Sequence, residues 1–206
     1  MLIVETGHSA SPGDLTLRAM FEDRKRVFVD LLGWDVPVLD GRFELDQFDN
    51  EAATYIIIAD EAGDHLGSAR LLPTDRPHIL GTLFRDLCAS PPPVGPGIME
   101  ITRFCLSRRR RAAERLQTRN QLVSALAWYA LDAGIRTYTG VAEIRWLQQI
   151  LAFGWDCRPL GVPVRYDCGT LGALAIEISG ETPSLLAANS IWQPPGDPAT
   201  LVPQAA

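Results

Sequence analysis

The pattern of apolar and polar residues alternates between strand-like and helix-like stretches. Apolar residues recur at helical spacing from Leu15 to about Leu32 and from Leu106 to about Ala133, where Gly134 is expected to cap the helix. Further helices are predicted at 142–153, near 81–88 and near Ser184. Strand-forming runs are predicted at 2–6, 54–60, 65–73, 98–106, 135–141, 162–167 and 173–179. This order predicts an α/β fold, a three-layer sandwich around a mixed, mostly antiparallel sheet.

Length and composition narrow the classes of protein that the chain can belong to. A chain of 206 residues suits one domain, which we expect over 1–192, followed by a Pro- and Ala-rich tail at 193–206 that we expect to be disordered. The net charge of −6 argues against a nucleic-acid partner. No apolar run approaches a membrane span, and the N-terminus lacks a signal pattern, so we expect a cytoplasmic protein.

Motifs for metal, nucleotide and covalent chemistry are missing. Four cysteines without C-x-x-C spacing and three histidines without a ligand pattern predict reduced thiols and no metal site. There is no glycine-rich dinucleotide or phosphate loop and no nucleophile elbow. What remains is chemistry by positioning, by charge and by a carboxylate base.

Two opposite charges, Glu100 and Arg103, interrupt the strand-like stretch IMEITRFCL. A carboxylate in such a strand is either paired or has a raised pKa, and a raised pKa suits a general base that works near neutral pH. The alternative is a salt bridge at a strand end. Strict alternation puts the two side chains on opposite faces, so direct contact needs a bulge or an arginine that reaches around the strand end.

Further charged and aromatic residues occur in four segments of the chain. Each has an ordinary explanation: an amphipathic helix, a solvated acidic loop, an edge-strand arginine, or an aromatic core residue. The residues are Arg24, Phe28 and Trp34, then Asp46 and Asp49, then Arg70, then Phe84.

Together with Glu100 and Arg103, these seven residues resemble the signature of LuxI-type acyl-homoserine-lactone synthases in identity, order and spacing. The resemblance runs from about Leu15 to Trp155. It implies a fold like that of GCN5-related N-acetyltransferases. It also implies transfer of an acyl group from acyl carrier protein, or acyl-CoA, to the amine of S-adenosylmethionine. Lactone closure would then release 5′-methylthioadenosine and yield a quorum-sensing signal. S-adenosylmethionine is a substrate in this scheme, and no cofactor is expected.

The resemblance also suggests roles for the residues. Asp46 and Asp49 would receive the cationic groups of S-adenosylmethionine, while Arg24 or Arg70 would hold its carboxylate or lock the aspartates in place. Phe28, Trp34 and Phe84 would offer faces to the sulfonium. Glu100 would take a proton from the attacking amine, and Arg103 would orient Glu100 or its neighbours.

A dense arginine run follows the strand that carries Glu100. It has three readings: a solvated helix face, a nucleic-acid site, or a docking surface for acyl carrier protein. Acetyltransferases often hold the phosphate of CoA on a glycine-containing turn at this point of the chain. The segment SRRRRAAER contains no glycine, which favours acyl carrier protein over CoA as the acyl donor. The arginines are Arg108, Arg109, Arg110, Arg111, Arg115 and Arg119, of which the last three are expected on one helix face.

The acyl pocket is expected between the strand at Ile98 and the strand at 135–141. Family members that prefer 3-oxo chains often have a threonine near the end of the second strand, a place that any residue from Thr139 to Ala142 could fill. The candidate pocket residues are Val141, Ala142, Trp146 and Leu122, each of which can equally be plain core. The chain could alternatively be a plain acyl-CoA-dependent N-acetyltransferase, or a non-catalytic module that binds carrier protein.

Overall fold

The computed structural model describes residues 1–6 and 15–194. The helices are α1 (Leu15–Arg24), continued by a π-helix (Lys25–Leu31), then α2 (Ile79–Leu83) with a 3₁₀ turn (Arg85–Leu87), α3 (Ala112–Ala133), α4 (Ile144–Leu151) and α5 (Thr182–Ala188). The strands are β1 (Leu2–Thr6), β2 (Val38–Leu39), β3 (Phe43–Glu44), β4 (Thr54–Ala59), β5 (His65–Pro73), β6 (Ile98–Leu106), β7 (Thr137–Glu143), β8 (Asp156–Pro159), β9 (Val164–Tyr166) and β10 (Gly169–Glu177).

Eight of these strands form one mixed sheet. Its order is β1-β4-β5-β6-β7-β10-β8, with β9 also paired to β10, while β2 and β3 form a separate ribbon. The β6–β7 pair is parallel, and the chain passes between these two strands through α3, because parallel neighbours need a long crossover. β4–β5 and β7–β10 are antiparallel.

Contacts divide the chain into two compact units. The described part of the first comprises residues 1–6, 15–71, 103–125 and Pro194, and the second comprises 72–102 and 126–193. In the first unit all six residues of β4 are buried, and α1 packs against β3. In the second, β10 packs against α4, and Tyr138 of β7 donates a hydrogen bond to the Leu126 carbonyl of α3 at 3.1 Å.

Most predicted elements are confirmed, including the cap after α3. Gly134 has a left-handed backbone, φ +68°, and the Ile135 N–H donates to the Ala130 carbonyl at 2.8 Å. Two helix starts differ: α3 begins at Ala112 rather than near 106, and α4 begins at Ile144 because β7 continues to Glu143.

Three strands were not predicted. β2 and β3 lie in the segment expected to be a loop, and β8 follows α4 at a stretch given no element. Of the expected tail, residues 195–206 lie outside the described part of the chain. The expectation of one domain over 1–192 stays a prediction. No helix within 1–6 and 15–194 combines the length and hydropathy that a membrane crossing requires.

Candidate active site

Six charged side chains of the first unit form a connected ion-pair network, which we name the arginine–carboxylate cluster. Its three guanidinium groups and three carboxylates are formally neutral in sum, and five of the six side chains are at most 6% exposed. The members are Arg24, Glu44, Asp46, Asp49, Arg70 and Arg103. Pairing and hydrogen bonding of every charge are what make such burial tolerable.

Arg24, the last residue of α1, joins two carboxylates. Its Nε donates to Glu44 at 2.6 Å, and its two terminal nitrogens donate to the two oxygens of Asp49 at 2.8 and 2.9 Å. Burial opposes the charge, but Asp49 and Glu44 together raise the pKa of Arg24 well above its ordinary value. A planar guanidinium suits this forked arrangement, which fixes the loop to the helix end.

Asp49 has its oxygens fully engaged. Besides Arg24 it accepts from the Tyr55 hydroxyl at 2.9 Å and from the Asp46 N–H at 2.8 Å, and it pairs with Arg70 at 2.8 Å. Burial alone would raise the pKa of Asp49, but the arginine charges hold it well below its usual range. Of the two arrangements that the sequence left open, this geometry has the aspartate held by arginines.

Asp46 joins the other two arginines. It accepts from Arg70 at 2.7 and 3.1 Å, from the Arg103 Nη2 at 2.7 Å and from the Phe48 N–H at 2.8 Å. Burial would raise the pKa of Asp46, but its hydrogen bonds and the two arginine charges lower it. Asp46 therefore links the loop after β3 to strands β5 and β6.

Arg103 breaks the regular strand. Its φ is +50°, in the left-handed region, and the alternation of buried residues along β6 shifts there: Glu100 and Thr102 are buried before it, and Cys105 after it. A bulge, or an arginine reaching around the strand end, was expected if Arg103 was to contact Glu100 directly, and the irregularity found here directs Arg103 to Glu44 and Asp46. Its Nε donates to Glu44 at 3.0 Å. Burial lowers the pKa of Arg103, which has the most exposed of the three guanidinium groups, at 9%.

Phe28 and Trp34 stack on each other with ring centroids 4.7 Å apart. The π-helix brings them together, since the Trp34 N–H donates to the Phe28 carbonyl at 2.8 Å, just past the helix end. The Arg103 guanidinium lies over both rings, at 5.6 and 5.8 Å from their centroids. The aromatic faces that we expected to meet a sulfonium therefore already meet a cation of the chain itself.

Sequence reasoning missed Glu44. This carboxylate is fully buried and bridges Arg24 to Arg103. A signal was available, because three arginines had been assigned with only two nearby carboxylates, and Glu44 lies two residues before Asp46. Balancing the three arginines against the available carboxylates would have identified Glu44 as the third acidic member of the cluster.

Glu100 belongs to the second unit, where it is fully buried. Its two oxygens accept the backbone N–H groups of Ile79 and Leu80 at 2.7 and 2.8 Å. The carboxylate thereby anchors the start of α2 to β6. Its role toward a substrate stays a prediction.

Phe84 also belongs to the second unit. Its ring meets Tyr166 edge-on, with centroids 5.3 Å apart, and packs with Val141 against a buried cluster that includes Leu80 and Leu171. The Tyr166 hydroxyl donates to Asp86. Phe84 and Val141 thus share one apolar surface.

The other candidate pocket residues are separated. Successive strand residues point to opposite faces, so Ala142, which is buried, lies on the other face of β7 from Val141. Trp146 of α4 meets Phe153 edge-on at 5.8 Å. Leu122 is buried in the first unit.

The arginine run is partly neutralised. Arg109 donates to Asp23 at 3.3 Å and Arg110 pairs with Asp60, whereas exposed Arg108 and Arg111 form no ion pair with a described residue. Arg119 donates to Asn120 at 2.8 Å, and Arg115 donates to the Arg110 carbonyl. The helix face predicted for three arginines is wrong for Arg111, which precedes α3 and whose N–H donates to Glu114 at 2.8 Å.

A buried Ser–His–Asp chain was also missed. His65 lies 2.9 Å from Asp23 through Nδ1 and 3.0 Å from the Ser68 hydroxyl through Nε2. Burial lowers the pKa of His65, and all three side chains are at most 1% exposed. The spacing resembles a hydrolytic triad, but with no accessible serine we assign it a packing role. Within residues 1–6 and 15–194, no group of three or more His, Cys, Asp or Glu side chains is arranged to hold a metal ion.

The fold is that of acyltransferases. An acyl-CoA N-acyltransferase from Pseudomonas aeruginosa superposes with a TM-score of 0.55 at 15% identity, covering 85% of this chain and 98% of the other. At that identity the likeness concerns the fold alone. It confirms the expected mixed sheet with flanking helices.

The family follows from the sequence comparisons. Residues 12–182 match the model of the autoinducer synthase family, to which the chain belongs. An acyl-homoserine-lactone synthase from Ralstonia nicotianae is 36% identical over 71% of this chain and 74% of its own, and one from Rhizobium etli is 37% identical over 68% of each. The solved CoA-dependent synthase BjaI, with MTA, has a TM-score of 0.81 at 27% identity, covering 96% of this chain and 94% of that one. The chain is an acyltransferase, an acyl-homoserine-lactone synthase.

Proposed function

We propose that this chain joins an acyl group to the amine of S-adenosylmethionine and then closes the lactone. The amine attacks the acyl thioester and releases a thiol. The methionine carboxylate then attacks its own γ-carbon, which breaks the carbon–sulfur bond of the sulfonium and releases 5′-methylthioadenosine. BjaI, which is solved with MTA and also with SAM and isopentyl-CoA, supports this pair of substrates.

The observation that carries the proposal is the arginine–carboxylate cluster. Asp46 and Asp49 are held by arginines, so we assign them to maintaining the site rather than to direct neutralisation of a free cation. Arg103, the cluster's most exposed guanidinium, is the group we assign to the methionine carboxylate. Phe28 and Trp34 are assigned to holding Arg103 in place, because its guanidinium lies over both rings.

Glu100 is the base in this proposal. The ammonium of S-adenosylmethionine must lose a proton before it can attack, and Glu100 is the buried carboxylate of β6. The backbone N–H groups of Ile79 and Leu80 hold the two carboxylate oxygens in place, so the orientation of Glu100 is fixed by the main chain.

Replacing Glu100 by Gln tests this role. Loss of a general base lowers the rate by about 10²–10⁴-fold, so we expect Glu100→Gln to lower kcat within that range for both amide and methylthioadenosine formation. Glu143→Gln is the matched control, because that carboxylate also accepts a helix N–H, from Arg145 at 2.9 Å. Turnover of Glu100→Gln near the wild-type rate would exclude the base role.

The acyl donor in this proposal is a phosphopantetheine thioester. Arg108 and Arg111, exposed and without ion pairs among the described residues, can bind the acidic groups that accompany it. Acyl carrier protein and acyl-CoA both present this thioester. The CoA dependence of BjaI favours acyl-CoA as the donor, whereas the absence of glycine at 107–115 favours acyl carrier protein.

A further inference from the structure

Two buried polar atoms of the second unit have no hydrogen-bond partner among the described residues. They are the Thr139 hydroxyl oxygen and the His78 Nε2. Thr139 is fully buried and His78 is 4% exposed. Native structures pair nearly all such groups, so each atom indicates a partner beyond the described residues, such as water or a ligand.

Thr139 lies beside Glu100. The two are opposite residues in the parallel β6–β7 ladder, whose strands run about 4.8 Å apart. Opposite residues on neighbouring strands point to the same face, so the hydroxyl and the carboxylate lie side by side. Both are fully buried there.

His78 lies next in the chain to the residues that hold Glu100. It immediately precedes Ile79 and Leu80, whose N–H groups donate to Glu100. Its Nδ1 lies 2.8 Å from the Arg76 carbonyl, which can only accept, so Nδ1 carries a hydrogen, and in the tautomer with that hydrogen alone Nε2 is an acceptor. The ring packs over Gly81, where an added Cβ would come within 2.6 Å of it.

The chemistry of these atoms selects the ligand. His78 Nε2 accepts, the Glu100 carboxylate accepts, and the Thr139 hydroxyl can accept as well. A primary amino group, which offers up to three N–H donors, matches such a set. We propose that Thr139 and His78, together with Glu100, form the subsite for the amino group of the acceptor substrate. This assignment rests on the proposed function, in which that acceptor is S-adenosylmethionine.

Thr139→Val tests the subsite, because it removes the hydroxyl and keeps the side-chain shape. A hydrogen bond to a charged group corresponds to about tenfold in affinity or more. We expect Thr139→Val to weaken S-adenosylmethionine binding about tenfold by calorimetry. Binding of 5′-methylthioadenosine, which lacks the α-amino group of the methionine part, should stay within about twofold of wild type. Thr139→Ser keeps the hydroxyl and should bind both ligands as wild type does.

His78→Asn gives an independent check. Asparagine can still donate to the Arg76 carbonyl and is a good residue before a helix, but it has no atom in place of Nε2. We expect it, too, to weaken S-adenosylmethionine selectively. Thermal unfolding of each variant establishes that it is folded before binding is compared.

The outcomes separate the two levels of the proposal. Equal weakening of both ligands, or wild-type binding by Thr139→Val and His78→Asn, overturns the amino-group subsite and leaves the proposed function standing. If the wild-type chain binds neither ligand, the proposed function fails, and the subsite fails with it.

Discussion

Arg103 combines a strained backbone with several strong contacts. A left-handed conformation at a residue other than glycine costs about 1–3 kcal/mol. Glu44, Asp46 and the paired rings of Phe28 and Trp34 all hold its guanidinium, which offsets that cost. The sequence predicted Arg103 as a site residue but not its left-handed backbone, because that backbone depends on partners at positions 28, 34, 44 and 46.

Asp49 should be the residue whose charge matters most for stability. Removing one partner of a buried ion pair typically costs about 3–5 kcal/mol, because the other charge remains buried. Asp49→Asn removes the negative charge that pairs with the buried guanidinium groups of Arg24 and Arg70. We therefore expect the free energy of unfolding to fall by about 3 kcal/mol or more. Urea unfolding followed by tryptophan fluorescence measures it.

The matched control for that change is Asp35→Asn, an exposed aspartate whose replacement should alter stability by less than about 0.5 kcal/mol. If Asp49→Asn were as stable as Asp35→Asn, the cluster would not be the electrostatic support that its geometry indicates.

At the scale of elements, the periodicity of apolar residues predicted the long helices and strands and missed the short ones. α3 and β4 have clear apolar patterns, and both were found. The two-residue strands β2 and β3 were missed, because no local pattern marks them. Glu44 of β3 is held by hydrogen bonds from Arg24 and Arg103, which are distant in sequence. The π-helix was missed for a similar reason, since no local signal distinguishes it from an ordinary helix turn.

The segment between β6 and α3 should select the acyl donor. Reversing the charge of its unpaired arginines, in Arg108→Glu with Arg111→Glu, should raise KM for the acyl thioester about tenfold or more. KM for S-adenosylmethionine should not change. Arg145→Glu, an exposed arginine of α4, is the control. Steady-state kinetics with acyl carrier protein and with acyl-CoA would show which source is used, and an unchanged KM for both would exclude this docking surface.

At the scale of the whole molecule, the sequence predicted the fold class and the family. Nine residues in register carried the resemblance, and the comparisons confirmed the class. The sequence could not divide these residues between the two compact units, nor reveal that Glu100 anchors a helix while the aspartates are held by arginines. Those features arise from long-range contacts, which periodicity does not report.

The most direct test of the account is to measure both products of one reaction. Purified chain, S-adenosylmethionine and a panel of acyl-CoA and acyl carrier protein thioesters would be followed by mass spectrometry. We predict acyl-homoserine lactone and 5′-methylthioadenosine in equal amounts with at least one donor. An acylated amine formed without methylthioadenosine, or no product with any donor, would contradict it.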